Sequence, residues 1–93
     1  MNINTHYQHS SATVFTEPEP GSGVVLQLDT GEYHQLNAVA CYVWNLLETP
    51  TNGASLVAKI IEQYSAPEQE ATQDVAELLA SLLDRKLIEP ATN

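Results

Sequence analysis

Apolar and polar residues repeat with two different periods along this chain. Over residues 24–28 the period is two: Val24, Leu26 and Leu28 share one face, and Val25 and Gln27 share the other. Asp29-Thr30-Gly31-Glu32 reads as a turn, because Gly31 is free to take positive φ. Residues 33–36 form the return strand, with Tyr33 and Gln35 pointing one way and His34 and Leu36 the other. A shorter strand is predicted over residues 12–16, built on Val14 and Phe15. Glu17-Pro-Glu-Pro-Gly-Ser-Gly23 is expected to loop, since its prolines and glycines oppose both helix and ladder. Residues 1–11 are polar and read as a flexible tail, as do residues 90–93.

The period changes after Asn37, a good N-cap for a first helix over residues 38–48 whose stripe is Ala40, Val43, Trp44 and Leu47. Asn52 is expected to cap a second helix that ends near Tyr64, with Leu56, Val57, Ile60, Ile61 and Tyr64 on its buried face. Ser65 and Glu68 have the spacing of a capping box, with Pro67 in the first turn of a third helix reaching about Lys86. Ala71, Val75, Leu79, Leu82 and Leu83 form its stripe, and Arg85 and Lys86 in its last turn complement the dipole. Leu87 and Ile88 close the domain. The order predicts an α+β fold: a three-stranded antiparallel sheet followed by three helices, in a winged helix-turn-helix-like outline over residues 12–89.

Length and charge narrow the function. A chain of 93 residues is one small domain with room for a single modest core. Three basic against twelve acidic residues give a net charge of −9, which repels phosphate backbones and anionic lipid. Nucleic acid and membrane are therefore not expected partners. The third helix would make a poor recognition helix, because Glu68, Glu70, Asp74, Glu77 and Asp84 outnumber Arg85 and Lys86. No apolar run approaches the roughly 20 residues that span a bilayer, and the polar start lacks a signal-peptide stretch, so a cytoplasmic monomer is expected.

Chemistry is sparse. Cys41 is the only cysteine, which excludes an intramolecular disulfide or a thiolate zinc cluster, and it reads as a small buried hydrophobe. His6 and His9 lack further ligands nearby and read as solvated tail histidines. Gly21 and Gly23 lack the Lys-Ser/Thr of a phosphate loop, and Asp74 with Glu77 reads as a solvated acidic face. Nothing joins a nucleophile, a base and an orienting group. No catalytic residue, metal site or cofactor is expected, and the chain does not read as an enzyme.

What remains is a short sheet with an open edge. An unpaired strand beside an apolar helix makes a groove suited to an extended peptide. The stretch Val25-Leu26-Gln27-Leu28-Asp29-Thr30-Gly31-Glu32-Tyr33-His34-Gln35-Leu36-Asn37, followed by Val43-Trp44, resembles the PqqD family. These are the RiPP recognition elements, which bind the leader peptides of ribosomally made natural products. The resemblance runs through Tyr64, Asp74-Val75, Leu82 and Leu87-Ile88 and covers about residues 12–89. It implies a leader peptide that pairs as an added strand on the third strand and packs against the third helix. Carried onto this chain, the edge is Tyr33, His34, Gln35 and Leu36, and the helix stripe is Asp74, Leu78, Ser81 and Arg85. The implied partners are a precursor leader peptide and a separate maturation enzyme.

The Tyr-x-Gln-Leu-Asn wording is most similar to the discrete recognition subunits of lasso-peptide pathways, with the version from pyrroloquinoline quinone synthesis the close alternative. A winged-helix regulator and a structural subunit of a larger enzyme are the rival classes. Two positions depart from the family pattern. Lys86 stands where a glycine often precedes the final Leu-Leu or Leu-Ile, and Val39 stands where Thr or Ser is often found two residues after the capping Asn.

Overall fold

The computed structural model describes residues 2–91. Along the chain lie β1 (His6–His9), β2 (Thr13–Glu19), β3 (Ser22–Gln27), β4 (Glu32–Leu36), α1 (Ala38–Leu46), β5 (Thr51–Asn52), α2 (Gly53–Tyr64), α3 (Glu68–Asp84) and β6 (Ile88–Pro90). The strands form two antiparallel sheets, ordered β2-β3-β4 and β5-β1-β6. The expected α+β hairpin-then-helices architecture is present, together with a second small sheet that was not expected.

The hairpin forms as its pattern predicts. Gly31 takes φ +75° in the turn, and its N–H donates to the Gln27 carbonyl at 2.8 Å. Of the two faces of β3, the one carrying Val25 and Gln27 is buried. Gly23 lies on that face too, and a Cβ there would sit 2.6 Å from the Cys41 sulfur and from the Phe15 ring. The missing side chain is what lets α1 close down on the sheet. Ala40, Val43, Trp44 and Leu47 are all buried as read, as is Cys41. Asn37 and Asn52 both cap: Ala40 N–H donates to Asn37 Oδ1 at 2.9 Å, and Ser55 N–H to Asn52 Oδ1 at 2.8 Å.

Residues 6–9 depart from the expected tail. They form the central strand of the second sheet, with Tyr7 only 6% exposed and paired to Thr51 and Pro90. His9 is not solvated either. Its ring stacks on Trp44 at 3.9 Å and 11°, and its Nε2–H donates to the Trp44 carbonyl at 2.6 Å. One aromatic side chain and one stacked imidazole anchor an otherwise polar segment, and both of its strand partners are remote in sequence. Pro90, in the expected C-terminal tail, belongs to β6; of the tail residues, 1, 92 and 93 lie outside the described residues.

Three boundaries also differ. β2 runs on to Glu19 through the expected loop, taking up Pro18 by a register shift between Thr16 and Glu19. An edge strand tolerates proline, because its outer N–H has no ladder partner to lose. Ser65 opens no capping box: it lies at the C-cap of α2 with φ +53°, and Pro67 takes the N-cap of α3 without a side-chain cap bond. Tyr64 is half out of the core, at 42% exposed.

The third helix ends at Asp84, and Lys86 adopts φ +61°. Lys86 N–H donates to the Leu83 carbonyl and Leu87 N–H to the Leu82 carbonyl, each at 3.0 Å, which is the Schellman arrangement. Lysine occupies the left-handed position that glycine takes more easily, at a cost of about 1 kcal/mol.

Candidate peptide-binding groove

Backbone direction decides what β4 offers. Leu28 N–H donates to the Ala12 carbonyl at 2.8 Å, so the even-numbered residues of β3 turn their backbone groups toward β2. Along an antiparallel strand this direction alternates, so Gly23, Val25 and Gln27 turn theirs toward β4. Their register partners are Leu36, His34 and Glu32. The N–H and C=O groups of Tyr33 and Gln35 therefore point outward. Among the described residues β4 pairs only with β3, so this edge is open.

The side chains of β4 divide the same way. Leu36 is buried and His34 half-buried, whereas Gln35 is exposed and Tyr33 is 71% exposed on the opposite face. Two depressions lie at the ends of β4, each shared with α3 or the residues that end it. At the end of β4, Asn37, Val39, Ala40, Asp74, Glu77 and Leu78 enclose about 370 Å³. At its start, Gln27, Thr30, Glu32, His34, Asp84, Arg85 and Lys86 enclose about 330 Å³.

The expected helix stripe is divided between these two depressions. Asp74 and Leu78 line one end and Arg85 the other, and Ser81 lies half-buried between them on α3. Leu78 is half-buried and packs against the core from the groove side, unlike Leu79 and Leu82, which are fully within it. Tyr33 and Gln35 contribute to the edge through their backbone, and their side chains face away from the groove. The sequence reading missed Gln27, Asn37, Val39 and Glu77. Asn37 and Val39 were read for capping alone, yet the first turn of α1 follows β4 directly, and its side chains fall at the groove's end.

Other candidates are quiet. Burial pushes the Cys41 thiol above its ordinary range, the Glu17 carboxylate adding to the effect, which disfavours the thiolate. Among the described residues no three His, Cys, Asp or Glu side chains come together as a metal site. No described helix is long and apolar enough to cross a membrane.

The sequence model of coenzyme PQQ synthesis protein D (PqqD) matches residues 22–88, from the start of β3 through the first residue of β6. The chain belongs to the PqqD family. Two solved structures share the fold of this PqqD-family chain. TbiB1 in complex with the TbiA(beta) leader peptide is 29% identical, with a TM-score of 0.82 over 92% of this chain and 99% of that one. Lasso peptide synthetase B1 complexed with the leader peptide is 24% identical, with a TM-score of 0.79 over 90% of this chain and 98% of that one. No curated protein sequence matches.

Proposed function

We propose that this chain is a non-catalytic module that captures the leader region of a ribosomally made precursor peptide and presents it to a separate maturation enzyme. The observation that carries the reading is the open β4 edge, with the backbone groups of Tyr33 and Gln35 facing outward and a depression at each end that α3 or the residues ending it share. An extended peptide added there gains ladder hydrogen bonds from the edge and side-chain contacts from Leu78 and Val39. Two proteins of this fold were solved with a leader peptide, one of them named lasso peptide synthetase B1, and with the Tyr-x-Gln-Leu-Asn wording this favours the lasso setting.

The family description favours a second reading, peptide chaperoning in pyrroloquinoline quinone synthesis, by the same groove. Titration calorimetry separates them when the full chain is offered two synthetic peptides, a lasso-type leader and a quinone-precursor peptide encoded near this gene. The favoured reading predicts saturable binding of the lasso leader with a Kd from about a micromolar to tens of nanomolar, about −8 to −10 kcal/mol. Saturation by the quinone precursor alone reverses the choice, and heat from neither defeats both.

A further inference from the structure

The sheet β2-β3-β4 buries one face, the one that carries Val25, Gln27 and Leu36. Across the other face run two rows, Val14, Leu26 and Tyr33, then Thr16, Val24 and Gln35. Leu28 stands beyond the first row, beside the turn. None of these seven residues is charged, although the chain holds twelve acidic and three basic residues. Val14 is 46% exposed, Leu28 56% and Tyr33 more so. An antiparallel sheet with one solvated face ordinarily alternates apolar-in with polar-out. Here both faces are largely apolar, and a charge-free patch with a tyrosine has the composition of an interface core.

The surroundings choose the occupant. Glu17 and Glu19 lie along β2, Asp29 and Glu32 bracket the turn, all four are exposed, and residues 1–52 contain no Lys or Arg. A second copy would set these carboxylates against their own kind, with a net charge of −9 on each chain. The face is also small. Three strands about 4.8 Å apart and five residues at about 3.3 Å give roughly 15 Å on a side, or roughly 200–250 Å², against about 800 Å² per partner in a stable complex.

A peptide added at β4 extends this face. Residues directly opposite one another in a strand pair put their side chains on the same side of the sheet. The peptide residues opposite Tyr33 and Gln35 therefore stand beside them on the charge-free face, and the residues between point toward α3. A partner that grips the widened face touches domain and peptide at once, as an enzyme receiving the precursor from this module would. The modest area suits a transient handover.

Resting on the leader-binding reading, we propose that this face is where the maturation enzyme docks, and that the alternate leader residues opposite Tyr33 and Gln35 complete it. The enzyme's matching surface is apolar at its centre and bordered by Lys or Arg. The bound strand thus has two readers: residues turned toward α3 are held by this chain, and residues turned away are read by the enzyme.

The test pairs calorimetry with biolayer interferometry, using a synthetic leader peptide and the purified maturation enzyme encoded beside this gene. Val14→Lys/Leu28→Lys changes two exposed side chains that lie off the β4 edge. It should melt like the wild type, take the leader with unchanged affinity and bind the enzyme at least about tenfold more weakly. Leu28→Lys alone replaces it if the double variant melts early, with an expected loss of at least about threefold. The leader should strengthen wild-type binding to the enzyme, and added salt should weaken it. Single Asp substitutions along the leader should alternate. At every second position the enzyme signal falls with leader affinity intact, and at the positions between, leader affinity itself falls. A folded variant that holds the enzyme as the wild type does overturns the docking face. Wild-type self-association that the variant abolishes overturns it too, by making a second copy the occupant. Enzyme binding indifferent to leader and to salt, or a leader scan without alternation, overturns the composite face. No leader heat on the wild type overturns the leader-binding reading, whatever the enzyme does.

Discussion

The sheet β2-β3-β4 has two outer strands, and they are built differently. The edge of β2 carries Pro18, a register break between Thr16 and Glu19, and the carboxylates of Glu17 and Glu19. Proline, irregular pairing and charge are the usual defences of an edge against stray strands. The edge of β4 has none of them past Glu32. It is regular in register from Glu32 to Leu36, contains no proline and has a depression at each end. The contrast teaches that the two edges differ in kind: β2 carries the features that discourage added strands and β4 lacks them, as the proposed strand addition requires. The second sheet supplies the reference, because its central strand β1 is paired on both sides.

The largest effect is expected where pairing is complete. Tyr7→Ala empties a buried aromatic site and should lower unfolding free energy by about 3 kcal/mol in denaturant melts, with leader affinity unchanged below the transition. A loss of affinity with no loss of stability would move the binding surface to β1 and end the contrast. Next in size, Leu78→Glu should weaken leader binding about ten- to a hundredfold by calorimetry, since an apolar contact is worth roughly 1.5–3 kcal/mol. Its melt should fall far less than that of Leu79→Glu, which places a charge fully inside the core. Equal melting losses would make Leu78 a core residue and place the groove elsewhere. The smallest effect is on β2. Replacing Pro18 with Val and Glu17 and Glu19 with Thr should leave leader affinity as it was and produce weak, concentration-dependent self-association by sedimentation. If those changes leave the chain monomeric at high concentration, the β2 edge needed no defence.

The hairpin and all three helices were legible because their signals are local. Gly31 in the turn, Asn37 and Asn52 as caps, and the stripes through Trp44, Ile60 and Leu79 each act within a few residues. β1 was not legible, since nothing in a polar segment announces that Tyr7 will meet Thr51 and Pro90. Pro18 argues against a strand in general and is tolerated here only because β2 is an edge, which sequence alone does not reveal. Ser65 and Glu68 had capping-box spacing, but only three residues join the two helices, and Ser65 was taken by the end of α2. For the groove, the family resemblance supplied the edge and the α3 stripe. Gln27 and Glu77 entered only when the ends of β4 and α3 came together in space.

The central claim is that β4 receives a strand through the outward groups of Tyr33 and Gln35, and Gln35→Pro tests it most directly. The change removes one outward N–H, and since Gln35 is exposed and its backbone faces away from β3, the sheet keeps its own bonds. Calorimetry with the leader peptide, beside a melt of the same variant, reads the result. A folded Gln35→Pro chain whose affinity has fallen at least about tenfold, or 1.4 kcal/mol, is the predicted outcome. A folded variant that binds the leader as tightly as the wild type would contradict strand addition at β4.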